Sequence, residues 1–405
     1  MAGQEAPDVR VLAAISAIAP LSMVMYLAAW PNIAASFLTN LAEIQQSLSY
    51  YLIGFGAAQL IYGPLSDSLG RRPIIFWGSL IFVLSSVMLT MTDHIENFVW
   101  IRLLQGIGAC AGPVMARAIV RDCHERDEAS RVLSLLMFIT MFVPLVGPSI
   151  GGELARHLSW RAIFLIQGIA GLLASCFVLF RSQETLSLIN RRKFTPLAVL
   201  SGYGTLLRSR LFMGYGMAGA FTIAGVFVYL AAAPHVLMTV VGVPTEQFGF
   251  YFSVNVVMQA FMALMNSRMV VRFGAEAILR FGLSASIISG AAMVFGAIYG
   301  NGWYHGAGLP LILFMSSLPL IGGNSIACAL TDFPELAGSG TALIGALQMG
   351  IGALFGMILT SFENGTTLPL SICISICASL ATLSYVVLIF AWKDDSKTPL
   401  PVIEI

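Results

Sequence analysis

The sequence predicts an all-α membrane protein of twelve transmembrane helices in two six-helix halves, with both termini cytoplasmic. Three observations carry this. Of 405 residues, 58% are hydrophobic and only 10% charged, against about 25% charged in soluble domains. The apolar residues fall in charge-free runs, most near or above the roughly 20 residues that span a bilayer. Finally, twelve spans with the N-terminus inside put 18 of the 21 basic residues on cytoplasmic segments and helix ends, as the positive-inside rule requires. Such a composition excludes an ordinary soluble enzyme, a nucleic-acid binder and a disordered regulator.

The runs 11–42, 44–66 and 74–92 give the first three spans. The first is far longer than the ~7–15 residues of a signal peptide's apolar region, and its flank has Glu5 and Asp8 against Arg10, so it is expected to be retained. Residues 98–120, with Arg102 and Arg117, form the fourth span; 132–152 and 162–180 give the fifth and sixth. The hydrophilic segment Arg181–Arg210 then separates the halves. Beyond it, 211–245 carries only His235 and gives span seven, and 247–267 gives span eight. The stretch 281–331, free of Asp, Glu, Lys and Arg but interrupted at 299–306, holds spans nine and ten; 336–362 and 364–392 complete the set. The expected organisation is an N-terminal half over 1–180, a cytoplasmic linker over 181–210, a C-terminal half over 211–392 and a tail over 393–405. A weak repeat, Tyr51 and Gln59 in span two against Tyr251 and Gln259 in span eight, suits two related halves around a midplane site.

The total of 21 basic and 20 acidic residues says nothing about partners. Cys110, Cys123, Cys176, Cys328, Cys373 and Cys377 have neither metal-ligand nor CxxC spacing, so no metal site is expected.

Three motifs stand out. Gly63–Pro73 reads GPLSDSLGRRP: Gly70 suits a tight turn, Pro73 a helix start, and Asp67, Arg71 and Arg72 concentrate charge at the membrane surface. In span four, Arg102 precedes Gln105 and Gly106; a charge at that depth must face protein or a wet cavity. In span five, Gly147, Pro148, Gly151 and Gly152 combine a lost helix hydrogen bond with room for close approach. Plainer readings are a capped turn, a structural arginine bonded to backbone carbonyls, and a kinked packing helix.

These strings resemble the signature loop, the span-four motif and the antiporter motif of the major facilitator superfamily. Further stretches, among them Arg121-Asp122, Leu158–Phe164, Phe248–Asn255 and Asp332–Gly338, resemble its bicyclomycin/chloramphenicol-resistance type of drug:proton antiporters. The resemblance implies that Asp67 meets the start of span eleven near Gly338 and Ser339, that Arg102 serves coupling and holds the site, and that transport is outward. One departure matters: where close relatives carry an acid in span one, this chain has Val24. No Asp or Glu replaces it within a span. His235 and Asp122 are the candidate titrating groups, Asp122 being read equally as a surface partner of Arg117 or Arg121.

The substrate cavity is expected to be walled by Tyr26, Trp30, Asn32, Gln105, Tyr229, Tyr251, Asn255, Gln259, Asn324 and Gln348, since pockets combine aromatic faces with a few polar groups. The expected function is export of a small organic molecule across the bacterial cytoplasmic membrane by alternating access. No P-loop motif is present and no cofactor is expected; the drive is an ion gradient, expected to be protons. Alternatives are export of an endogenous carboxylate-bearing metabolite such as a siderophore, and nutrient import. A membrane enzyme would need a clustered catalytic set near one interface, and the sequence shows no Ser/His/Asp, HExxH or paired-carboxylate cluster. The expected partners are the small-molecule substrate and the lipid bilayer, not nucleic acid, and the chain is expected to act as a monomer.

Overall fold

The structure, a computed structural model, describes residues 8–390 except 182, 188, 190, 192, 193, 301–303 and 363. The expected tail over 393–405 lies outside the described residues. Every described regular element is a helix. The first run is not one continuous helix: α1 (Val9–Val24) gives way to a 3₁₀ turn at Leu27–Ala29 and then α2 (Trp30–Phe37). There follow α3 (Leu41–Leu69), α4 (Arg71–Met91), α5 (Ile95–Cys123), α6 (Arg126–His157) and α7 (Trp160–Arg181). After the linker come α8 (Pro196–Arg208), α9 (Arg210–Pro234), α10 (Thr245–Phe273), α11 (Ala275–Tyr299), α12 (Leu309–Leu330), α13 (Ala337–Ser361) and α14 (Leu368–Tyr385). Eleven of the described segments are long and apolar enough to cross a membrane by length and composition. The 29-residue α3 is long enough as well but more polar, and its Gln45, Ser47, Ser49 and Gln59 are buried in the bundle.

Helix ends are set by local chemistry. The Asn40 side chain accepts from the Glu43 N–H (3.0 Å) to start α3, and Ser209 does the same for Phe212 at α9, supplying acceptors for otherwise orphaned donors. The segment Arg181–Arg210 is more than a hydrophilic connector. Its second part forms α8, starting at Pro196 with Leu206 buried, and the Tyr203 hydroxyl donates to the Leu60 carbonyl (2.9 Å). Burial pushes the Tyr203 phenol up to about 12. The flanking arginines hide this helix in a charge-based reading, although Val199, Tyr203 and Leu206 mark its buried side.

Packing sorts the long helices into two groups, α1 with α3–α7 and α9 with α10–α14. Toward the end that bears Val9 and Phe390, each group has its own apolar core. Leu12, Ile75, Met115 and Val178 lie in one; Leu206, Phe212, Leu279 and Ile344 lie in the other. Toward the opposite end a single core crosses between the groups, joining Met25, Trp30, Tyr51 and Phe164 to Tyr229, Phe248, Phe252 and Phe314.

Close helix approach, first within the N-terminal group and then between the groups, shapes that core. A Cβ on Gly151 would overlap the Met25 carbonyl, and one on Gly147 would lie 2.7 Å from Val24 Cγ2. The break between α1 and α2 is thus locked against α6, and Val24 is buried at this seam (3% exposed). Between the groups, Gly249 abuts Ser149, and the Ser253 hydroxyl donates to the Leu145 carbonyl (2.8 Å). On the other side, Gly345 receives the Gln59 amide and Gly356 faces Ser49. Replacing Gly151 by Val should destabilise the protein by about 1–3 kcal/mol through overpacking, read as thermal unfolding in lipid nanodiscs. Gly350→Val, where a Cβ meets nothing within 4 Å, should stay within about 0.5 kcal/mol.

Candidate functional site

Where the two cores separate, a cavity of about 700 Å³ opens between the groups. The terminus-bearing ends of α3 (Gln59, Gly63, Asp67), α5 (Arg117, Arg121, Asp122) and α13 (Gly338, Ser339, Thr341) line it. At its edge sits a charge cluster built on the turn between α3 and α4. Gly70 has φ +101°, and a Cβ there would lie 2.5 Å from Glu184 Oε2. Only a residue without a side chain takes that conformation freely. The freed space admits the Glu184 carboxylate, which accepts from the Arg71 and Arg72 N–H groups (2.9 and 3.1 Å) and neutralises the start of α4.

Arg71 is the hub of this cluster, its side chain only 7% exposed. Its Nε donates to Asp122 Oδ2 (2.8 Å), its Nη2 to Asp122 Oδ1 (3.2 Å), and its Nη1 to Asp67 Oδ1 and Ser66 Oγ (both 2.6 Å). The expectation that Asp122 partners Arg117 or Arg121 is therefore corrected. Arg71 reaches it from 51 positions away because the turn at Gly70 aims the fork at the end of α5. The proposed contact of Asp67 with the start of α13 is not made in this conformation. Asp67 pairs with Arg71, and the cavity that it shares with Gly338 and Ser339 stands open. Arg72 instead donates to the Leu179 carbonyl (2.5 Å).

Deeper in the bundle lies a polar layer within the N-terminal group. Arg102 is fully buried (0% exposed). Its Nη1 donates to Gln105 Oε1, and the Gln105 amide donates to Ser86 Oγ (2.9 Å) and Gln167 Oε1 (3.2 Å). The guanidinium carbon stands 4.2 Å from the Tyr26 ring centre and 4.6 Å from that of Tyr51. Both rings are fixed from behind: the Tyr26 hydroxyl bonds Ser47 (3.1 Å), and the Tyr51 hydroxyl bonds Ser22 (2.6 Å). Arg102 neither bonds backbone carbonyls nor faces the cavity; aromatic faces and one amide house it. An uncompensated buried charge costs several kcal/mol even after relaxation, whereas each aromatic face returns about 0.5–2 kcal/mol. Gly106 permits this packing, since a Cβ there would overlap the Tyr51 carbonyl.

In the C-terminal group, Asn255 Nδ2 donates to the Tyr229 hydroxyl (3.0 Å), whose ring stacks on Phe252. Gln259 reaches Met315 Sδ (3.6 Å), and Asn324 bonds Asn266 (3.0 Å). Tyr251 and Gln348 are half-buried, while Asn32 is exposed on α2. None of the ten residues expected to wall the substrate cavity lines the 700 Å³ opening. Of these, Tyr26, Trp30 and Tyr229 pack instead into the core shared by the two groups. His235 opens a π-turn over His235–Val240, with its Nε2 buried and unpartnered. In the span-five motif, Pro148 lies within α6, and Gly152 approaches Ala28 Cβ and the Thr245 carbonyl. Sequence reasoning missed Glu184, Gln45, Ser86 and Gln167. The two glutamines had a signal, an amide inside a charge-free run.

A two-lobed helical bundle with a buried polar layer, open at one end and closed at the other, is the architecture of a membrane transporter. The chain belongs to the Major Facilitator Superfamily, whose sequence profile matches residues 12–357. It is 32% identical over 374 residues to a bicyclomycin resistance protein homolog of Haemophilus influenzae, covering 92% of this chain and 94% of that protein. It is 29% identical over 385 residues to a chloramphenicol resistance protein of Pseudomonas aeruginosa, covering 93% and 89%. The fold matches that of the Escherichia coli xylose transporter XylE in a partially occluded inward-open conformation, with TM-score 0.70, 16% identity and coverage of 98% and 99%.

The Arg71 fork gives a direct prediction. Asp122→Asn should lower stability by about 1–3 kcal/mol, because Arg71 then keeps only one carboxylate. A double-mutant cycle of Asp122→Asn with Arg71→Lys, read by thermal unfolding, should return a coupling energy of similar size. Additive effects would contradict the pairing.

Proposed function

We propose that this chain is a proton-driven exporter of small organic molecules in the bacterial cytoplasmic membrane, acting as a monomer and captured here open to the cytoplasm. The split core is the observation that carries the reading: one apolar core joins the halves at the far end, while two separate cores flank a cavity at the end bearing the termini. That asymmetry is one half of an alternating-access cycle.

Counting α3 as a span brings the total to twelve and puts both termini on one side. Arg71, Arg72, Arg117, Arg121, Arg208 and Arg210 lie at that end, which the positive-inside rule makes cytoplasmic. Export is favoured by the resistance proteins among the relatives and by the Gly147–Gly152 stretch at the seam with α1. In the opposite state, closure of the cavity would carry Asp67 to the first turn of α13, whose dipole favours an anion. All described acids lie in loops or near helix ends. The preferred cargo is therefore neutral or anionic rather than a lipophilic cation, and a carboxylate-bearing metabolite is the second reading.

In an efflux-deficient host, the protein should lower accumulation of neutral antibiotics, and a protonophore should abolish the effect. Accumulation that rises on expression would indicate import. Asp67→Asn should cut efflux at least tenfold while the protein remains folded in the membrane; unchanged efflux would remove Asp67 from the cycle. Arg102→Ala should abolish transport and Arg102→Lys restore it in part, because an ammonium lacks the planar fork.

A further inference from the structure

The polar layer around Arg102 is rich in donors and poor in acceptors. Of the guanidinium's groups, only Nη1 has a hydrogen-bond partner; Nε and Nη2 are buried with none. The same holds for Gln167 Nε2, on the amide that accepts from Gln105, and for Trp30 Nε1, on the ring packed against Tyr26 (5.8 Å between centres). No described carboxylate lies within ion-pair distance of Arg102. The side chains within its reach are neutral: Tyr26, Tyr51, Phe164 and Gln105. The guanidinium is a cation with donors only and no acceptor. Water can satisfy the N–H groups but leaves the charge uncompensated.

We propose that Arg102 is the centre of a binding site for a single negative charge, held by its Nε and Nη2 and flanked by the tyrosine rings. The ligand is a monovalent anionic group, either a free halide or the carboxylate of a transported compound. A charge-assisted bond to the guanidinium would satisfy two orphaned donors at once, and the buried setting strengthens it by excluding competing water. The site is separate from the open cavity, whose lining does not include Arg102. Exchange therefore requires the bundle to open at this level, which ties occupancy to the conformational cycle. The inference does not depend on the direction of transport or on the driving ion.

The test is equilibrium binding of radioactive chloride to the full-length protein in nanodiscs of neutral lipid, in sulfate buffer at matched ionic strength. Benzoate serves as the competing carboxylate probe. A halide site predicts saturable binding of about one chloride per chain and a thermal midpoint higher by about 2–4 °C in saturating chloride than in sulfate. A carboxylate subsite predicts the same upward shift with benzoate and none with chloride. Arg102→Gln should abolish either response, and Arg102→Lys should weaken it about tenfold. Should the glutamine variant not fold, the lysine variant and the wild type decide. Absence of both responses in the wild type would overturn the proposal, as would binding unchanged in the Arg102 variants.

Discussion

Lipid is as apolar as the side chains that face it, so burying hydrophobic surface gives two membrane helices little reason to associate. The halves of this protein must therefore be held by steric fit and a few polar contacts, and the rest of the structure follows from where those fall. Glycines and small side chains let the two groups meet at the far end: Gly152 near the Thr245 carbonyl, Gly249 at Ser149, Gly356 at Ser49. Toward the termini, the Gln59 amide at Gly345 and the Tyr203–Leu60 bond are the crossings on one side. Elsewhere at that end the gap stays open. These contacts join helices of different halves, so exchanging them need not unfold either half, as a rocking transporter requires.

The charged residues divide between two tasks. At the membrane surface, Arg71 gathers Asp67 and Asp122 while Glu184 caps the start of α4, so the first half is braced within itself as the cavity opens. At depth, Arg102 sits among neutral groups and aromatic faces, with two of its donor groups unfilled. The first cluster is a rigid support. The second is poised to respond to whatever anion reaches it.

Much of the fold is legible in the sequence because membrane helices are read from long charge-free runs. The runs 74–92 and 162–180 fall within α4 (Arg71–Met91) and α7 (Trp160–Arg181) apart from one residue. What stayed hidden depends on contacts between distant segments. The break after Val24 is fixed by Gly151, more than 120 residues on, and the Arg71–Asp122 pair joins two motifs that look independent. The amphipathic α8 is masked by the basic residues around it. Tyr26, Gln105 and Tyr229 are recognisable as polar groups at bilayer depth, but the sequence does not say whether they face an opening or close one. Here Tyr26 and Gln105 pack on Arg102, and Tyr229 stacks on Phe252.

The central claim is that the resting protein is closed at the seam between α6 and α10 and open beside the first turn of α13. Amide hydrogen exchange on the unmodified protein in nanodiscs reads both places at once. Rapid exchange at Gly338–Thr341, together with strong protection over 145–152 and 245–253, is the expected pattern. Protection at the start of α13 with rapid exchange across the α6–α10 seam would contradict the account.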